Sequence, residues 1–300
     1  MASSSKLLRF GIPKGSLEQQ TLELMRKSGW RVSVGSRSYM PAVDDPSLNC
    51  RLLRPQEMPR YLADGTLDGG ITGSDWIVEN GVELIEVESF VYSKVSLAPT
   101  RWVLVVPENS PVKKLEDLAG KRVATEMTNF TRRLFAQRKV KVEVEFSWGA
   151  TEAKAADGLV DAVVEVTETG SSLRANGLRI IEELLTSNPV LVANPTAWAD
   201  PWKQAKIRQI GVLIRGALDA EHRVGIKMNV PRRDLEKVIA LLPSITAPTI
   251  SQLYPAPTLK GIDWVAVETV IDEHTVRELF PKLLEAGAVG IIEYQLNKII

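Results

Sequence analysis

The chain has 300 residues, 44% of them hydrophobic, 25% charged and only 6% aromatic, a composition that excludes a disordered or fibrous protein and suits about two globular domains. Lys and Arg number 37, as do Asp and Glu, so no bulk field recruits nucleic acid or an anionic membrane, and any anion site must be local. The single cysteine, Cys50, rules out an intrachain disulfide or zinc knuckle, and the only histidines, His222 and His274, rule out a multi-histidine metal site or a Ser-His-Asp triad in the first two thirds.

The first ten residues lack the apolar core of a signal peptide, because Arg9 and Gly11 interrupt it, and no run is long enough to span a bilayer. A cytoplasmic location is expected. From Leu7 onward, short apolar runs alternate with helical patterns, the order of parallel sheets built from βαβ units. Leu7 to Ile12 reads as a strand, Pro13-Lys14-Gly15-Ser16 as a turn, and Leu17, Leu22, Leu24 and Met25 as the apolar face of a helix ending near Gly29. A strand near Leu52 passes through Arg54-Pro55 into a second helix. Leu67 to Thr72 is a strand broken at Gly73, and Asp75-Trp76 opens a helical turn.

After Pro99 the pattern restarts, with strands predicted at Trp102 to Val106, Lys121 to Thr125 and Val140 to Phe146. A helix from Gly149 closes near Gly158, and Leu159 to Val166 follows as an apolar strand carrying Asp161 and Glu165. Two α/β lobes are expected, residues 1–97 with 181–216 and an inserted lobe of residues 98–180. Asp200-Pro201 suits a helix start, since Asp can cap free N–H groups and Pro fits the first helical position. Residues 217–300 then read as a separate domain, strand Arg223 to Asn229, helix Pro231 to Leu242, strands Thr249 to Leu253 and Asp263 to Val270, helix Thr275 to Ala286 and strand Val289 to Tyr294. That order, βαββαβ, is ferredoxin-like.

Thr169-Gly170-Ser171-Ser172 lies between a buried strand and a helix start, where backbone N–H groups converge and the helix dipole favours an anion. Glycine permits close approach, and the three hydroxyls add donors, which outweigh the dipole at about 1.5–3 kcal/mol each for a charged acceptor. Taken alone, the segment reads more simply as an ordinary turn in which Ser171 or Ser172 caps a helix. Asp161 and Glu165, four apart, project to one strand face, with Glu165 and Glu168 beside the anion position. Acids there suit sugar hydroxyls or a ligand-borne cation, so a phosphorylated ribose with Mg²⁺ is expected. Ile12-Pro13-Lys14-Gly15-Ser16 and Gly69-Gly70-Ile71-Thr72-Gly73-Ser74-Asp75-Trp76 are two further turns at strand ends, and together the three suggest a crevice between lobes. Arg132-Arg133, Arg174 and the tryptophans read as surface and packing residues.

These motifs, with Leu53-Arg54-Pro55 and Arg174-Ala175-Asn176-Gly177-Leu178, resemble the ATP phosphoribosyltransferase family in its long form. The resemblance implies a two-lobed periplasmic-binding-protein-like core with a C-terminal ferredoxin-like (ACT-like) regulatory domain. It implies the first step of histidine biosynthesis, in which N1 of ATP attacks phosphoribosyl pyrophosphate, with Mg²⁺ as cofactor and metal ligands unassigned. By motif, Glu165, Lys14 and Asp75 are the catalytic candidates. Glu165, Glu168, Thr169, Gly170, Ser171 and Ser172 hold the phosphoribosyl group, while Lys14, Gly15, Arg54, Gly73 and Asp75 line the nucleotide side. Histidine is the expected inhibitor, with AMP a second candidate, acting within residues 223–300, and the chain is expected to form homodimers or hexamers without nucleic-acid or membrane partners. Glu165 stands where the family often has aspartate, and Ser172 where it has threonine. The alternatives are a two-lobed anion- or solute-binding protein and a phosphoribosyltransferase acting on another base.

Overall fold

A six-residue strand, Leu8–Pro13, is buried at five of its six positions, as a strand must be when helices cover both faces of a parallel sheet. In the computed structural model, which describes residues 6–35, 39–92, 98–243, 247–254, 261 and 263–300, it lies inside a five-stranded sheet. The spatial order is Leu48–Leu53, Leu8–Pro13, Gly69–Gly73, Pro189–Ala193 and Ile85–Ser89. The first three run parallel, and Pro189–Ala193 is antiparallel to both of its neighbours. A second five-stranded sheet has the order Leu178–Ser187, Thr100–Pro107, Ala162–Thr167, Arg122–Thr125 and Glu143–Phe146.

The chain divides into two compact units, Met1–Gly211 and Val212–Ile300, the first containing both five-stranded sheets. The strand Leu178–Ser187 stays with the second sheet along its whole length, paired antiparallel to Thr100–Pro107. The return to the first sheet therefore falls between Ser187 and Pro189, later than the expected boundary at residue 181. The cause is packing: Ile181, Leu184 and Leu185 lie against the core formed by Trp102, Leu104, Val106 and Phe135, so leaving that sheet earlier would strand apolar surface in water.

The second unit builds a four-stranded antiparallel sheet in the order Thr249–Gln252, Trp264–Asp272, Arg223–Pro231 and Val289–Gln295. With the helices Leu235–Ile239 and Val276–Glu285, this is the expected βαββαβ ferredoxin-like fold. Its core joins Val224, Ile226, Met228 and Val230 to Val265, Val267 and Leu283. The first helix is shorter than the expected Pro231 to Leu242. Pro231 still pairs with Trp264 in the sheet, and a 3₁₀ turn at Arg232–Asp234 precedes the helix. Both histidines border one cavity of this unit with Glu273 and Arg277, and no described group of three or more His, Cys, Asp or Glu residues is placed to hold a metal ion. No described helix is long and apolar enough to cross a membrane.

One buried charge ties the first sheet to its covering helix. The Asp68 side chain, 2% exposed, binds Arg9 Nη2 at 2.7 Å and Lys203 Nζ at 2.8 Å, and accepts the Arg9 backbone N–H at 2.8 Å. Burial raises its pKa, but the Arg9 and Lys203 partners outweigh that effect, and the carboxyl ends below its ordinary range. Asp68→Asn should therefore cost about 2 kcal/mol of stability near neutral pH. Because the folded pKa is depressed, the loss should be present above the ordinary carboxylate pKa and shrink as pH falls through the depressed value. Urea unfolding of both proteins at neutral and strongly acidic pH measures it, and a pH-independent difference would contradict the assignment.

Candidate active site

Every parallel strand of the first sheet ends in a turn that faces the same cleft. Lys14 follows Leu8–Pro13, and its backbone N–H donates to Leu53 O at 2.7 Å, which holds the Lys14-Gly15 and Arg54-Pro55 turns side by side. Lys14 Nζ lies 3.8 Å from the centroid of the exposed Tyr39 ring, a cation–π contact. Thr72 Oγ1 donates to Pro55 O at 2.9 Å and anchors the Arg54-Pro55 turn to the end of Gly69–Gly73.

The next residues, Gly73 to Asp75, make the junction with the second sheet. Asp75 is 5% exposed. Its Oδ1 accepts the Trp76 N–H at 3.0 Å, and its Oδ2 accepts the Trp102 indole Nε1–H at 2.7 Å. Burial pushes the Asp75 carboxyl above its ordinary range, opposed by the Trp102 and Ser187 contacts. A Cβ on Gly73 would lie 2.1 Å from Asp75 Oδ1, so only glycine lets the carboxylate fold back against the backbone there. Trp76 and Trp102 meet edge to face, 5.9 Å between centroids. Glu79, further along the same helix, accepts N–H groups of Asn129 and Phe130 at 3.0 and 2.8 Å, satisfying free donors at the start of the helix Thr128–Gln137.

These contacts enclose a cleft of about 420 Å³. One wall carries Lys14, Gly15, Arg54, Gly73 and Asp75. The other carries Glu126, Glu165, Val166, Thr167 and Glu168. Glu165 is half-buried at the end of Ala162–Thr167, and its pKa is pushed up to about 7. Burial is the main cause; Glu152 and Glu126 reinforce it, and the Val166 N–H and Thr151 oppose it. Asp161 lies at the other end of this strand, one residue before it begins, where it binds Lys121 at 3.3 Å and the Arg122 N–H at 2.9 Å. It is not among the residues lining the cleft, whereas Glu165 is.

Thr169, Ser171 and Ser172 lie exposed beyond the cleft lining, with Gly170 buried among them. The expected helix begins at Ser171, and Gly170, at φ 71°, precedes it. Two of the backbone donors there are already engaged. The Gly170 N–H reaches Thr167 Oγ1 at 2.8 Å, and the Ser171 N–H reaches Thr169 Oγ1 at 3.4 Å. Short hydroxyl side chains fold back onto nearby N–H groups in this way, so these two donors are met within the protein. Ser172 Oγ donates to Glu152 Oε1 at 3.4 Å, linking the segment to the acids around Glu165. Trp102, Ser187, Asn188 and Glu126 also border the cleft, and none was singled out by a motif. The signal for Glu126, Ser187 and Asn188 was topological, since each sits at or just beyond a strand end, whereas Trp102 lies within Thr100–Pro107.

A two-lobed α/β core with cations on one wall of its cleft and carboxylates on the other, followed by a ferredoxin-like domain, defines a protein that handles a phosphorylated, hydroxyl-bearing ligand. Comparison with known proteins agrees. The family model described as ATP phosphoribosyltransferase matches residues 54–216, and that described as HisG, C-terminal domain, matches residues 220–298. The ATP phosphoribosyltransferase of Geotalea uraniireducens is 56% identical over 296 residues, covering 99% of this chain and all of the relative. ATP phosphoribosyltransferase 1 of Geobacter sulfurreducens is 55% identical with the same coverage. Among solved structures, the ATP phosphoribosyl transferase (HisG:HisZ) complex from Thermotoga maritima superposes with a TM-score of 0.60 at 26% identity, over 69% of this chain and 98% of that one. The chain belongs to the ATP phosphoribosyltransferase family, in the long form that carries its own C-terminal domain, and its activity is the first step of histidine biosynthesis.

The raised pKa of Glu165 has a measurable consequence. The folded protein holds a proton at this site up to about pH 7, whereas an unfolded chain releases it near the ordinary glutamate value, so Glu165 lowers stability progressively as pH rises between the two. Glu165→Gln should gain stability relative to the parent from about pH 5 to about pH 8 and level off above that. Thermal unfolding across this range checks the sign; a variant whose relative stability falls with pH would contradict it.

Proposed function

We propose that the cleft binds phosphoribosyl pyrophosphate with its ribose on Glu165 and its 5-phosphate on Thr169 to Ser172, and that Lys14, Gly15, Arg54 and Gly73 line the side that receives ATP. What carries this reading is the opposition of charge across one cleft: Lys14 and Arg54 face Glu126, Glu165 and Glu168. Polyphosphates are acceptor-only anions and belong with the cations, whereas ribose hydroxyls are donors and belong with the carboxylates.

The reaction forms a bond between N1 of adenine and the anomeric carbon and breaks the bond from that carbon to pyrophosphate, whose oxygen keeps the electron pair. No covalent intermediate on the protein is needed. Positioning and electrostatics lower the barrier: the carboxylates favour the cationic sugar of the transition state, and Lys14 and Arg54 favour the departing anion. Asp75 acts at one remove, because both of its oxygens already hold donors of the cleft wall. Mg²⁺ fits this donor set. Glutamate oxygens are hard ligands, and Mg²⁺ is commonly held by one or two carboxylates together with substrate phosphates rather than by an all-protein cage. It would neutralise charge on the diphosphate, with Glu126, Glu165 and Glu168 as its nearest protein carboxylates.

The enzyme is proposed to work in the cytoplasm as a homodimer or hexamer, with the second unit as the seat of inhibition by histidine. Two outcomes test the residue assignments. Ser171→Ala and Thr169→Ala should raise KM for phosphoribosyl pyrophosphate about tenfold, the loss of one charge-assisted hydrogen bond each, with KM for ATP little changed; the reverse split would place the phosphoribosyl group elsewhere. Histidine added to the full-length protein should slow amide hydrogen exchange within residues 223–300, and protection confined to residues 14–172 would remove the second unit from regulation.

A further inference from the structure

Among the described residues four buried side-chain oxygens have no hydrogen-bond partner: Ser28 Oγ, Thr131 Oγ1, Gln56 Oε1 and Asn188 Oδ1. The first two belong to helices and do not border the cleft. The other two are amide carbonyls of residues that line the cleft, Gln56 and Asn188. Gln56 follows Arg54-Pro55 on the cationic wall, and its backbone oxygen accepts the Asn80 side-chain amide at 3.1 Å. Asn188 occupies the return between the sheets, where its backbone oxygen accepts the Ser74 N–H at 2.9 Å. Their backbones are thus fixed while their side-chain acceptors remain unmet.

A buried acceptor without a donor is unfavourable, and it persists at a functional site when a ligand supplies the donor. The substrates offer few donors. Their phosphates have none, and on the reading above the hydroxyls of the donor sugar belong to the carboxylate wall. What remains is the exocyclic amino group of adenine, with two N–H groups, and the ribose hydroxyls of ATP. The amino group sits beside N1, the attacking atom. As N1 acquires its new bond, positive charge spreads over N1, C6 and the amino nitrogen, and a hydrogen bond from that nitrogen strengthens in the transition state.

We propose that Gln56 and Asn188 read the adenine of ATP by accepting hydrogen bonds from its exocyclic amino group. This assignment rests on placing ATP at the Lys14 and Arg54 wall, and it makes the two amides the residues that select adenine over other purines.

The test compares ATP with purine riboside triphosphate, which keeps N1 but lacks the amino group, and with 2′-deoxy-ATP, in the parent enzyme and in Gln56→Leu/Asn188→Leu. The expected result is a fall of about tenfold in the kcat/KM preference for ATP over purine riboside triphosphate, with KM for phosphoribosyl pyrophosphate and the preference over 2′-deoxy-ATP unchanged. Leucine removes the unmet buried acceptor, so the unliganded variant should unfold at or above the parent's temperature while gaining less stability from added ATP; a purely structural role for the amides would instead lower the unliganded midpoint. A preference within twofold of the parent overturns the proposal, as does a change confined to 2′-deoxy-ATP. Lys14→Ala tests the wall separately: an unchanged KM for ATP there would fault the placement of the nucleotide, whereas an intact Lys14 effect with an unmoved base preference would fault the amides alone.

Discussion

The hydrogen bond from the Trp102 indole to Asp75 Oδ2, 2.7 Å long, joins the two sheets of the first unit at the floor of the cleft. A carboxylate removed from water is costly unless its donors are well placed, so Asp75 holds Trp102 and the start of its own helix in one arrangement. The same helix presents Trp76 to Trp102 and Glu79 to the N-terminus of Thr128–Gln137. Three different interactions along two helical turns therefore fix which strand ends face each other. Lys14 and Arg54 oppose Glu126, Glu165 and Glu168 because of this junction, and Gly73 is glycine because the Asp75 carboxylate occupies the space of its missing side chain.

The opposition of charge explains features that look unfavourable in isolation. Glu165 is crowded by Glu152 and Glu126 and holds a proton near neutrality, a poor choice for stability. On the proposed reading it serves a sugar with hydroxyl donors and a cationic transition state. The engaged N–H groups at Gly170 and Ser171 follow the same logic on the proposed placement of the 5-phosphate: the Thr167 and Thr169 hydroxyls hold the donors that the phosphate would take over. Binding then exchanges neutral acceptors for a charged one, which is the stronger interaction.

Much of this was legible in the amino-acid order. Lys14-Gly15, Arg54-Pro55 and Gly73 to Asp75 announce themselves as turns closing apolar strands, and parallel strands bring such turns to one edge by construction. The βαββαβ pattern of the last third was equally plain, and in Trp264–Asp272 buried positions alternate with partly buried ones. Other parts had no local signature. Trp102 reads as one more strand residue until its indole is seen to meet Asp75, and Ser187 and Asn188 reach the cleft only through a late return of the chain. Asp161 misled for a related reason: the four-residue spacing to Glu165 places both on one face, but the strand begins only at Ala162, and Asp161 belongs to the opposite end with Lys121.

The most direct measurement is a crystal structure of the full chain with phosphoribosyl pyrophosphate and Mg²⁺. The 5-phosphate should replace the Thr167 and Thr169 hydroxyls on the backbone donors of Gly170 and Ser171, with ribose hydroxyls on Glu165 and the bond between Asp75 and Trp102 intact. A sugar phosphate seated on the Lys14 turn, with both threonine contacts undisturbed, would contradict this assignment of the two walls.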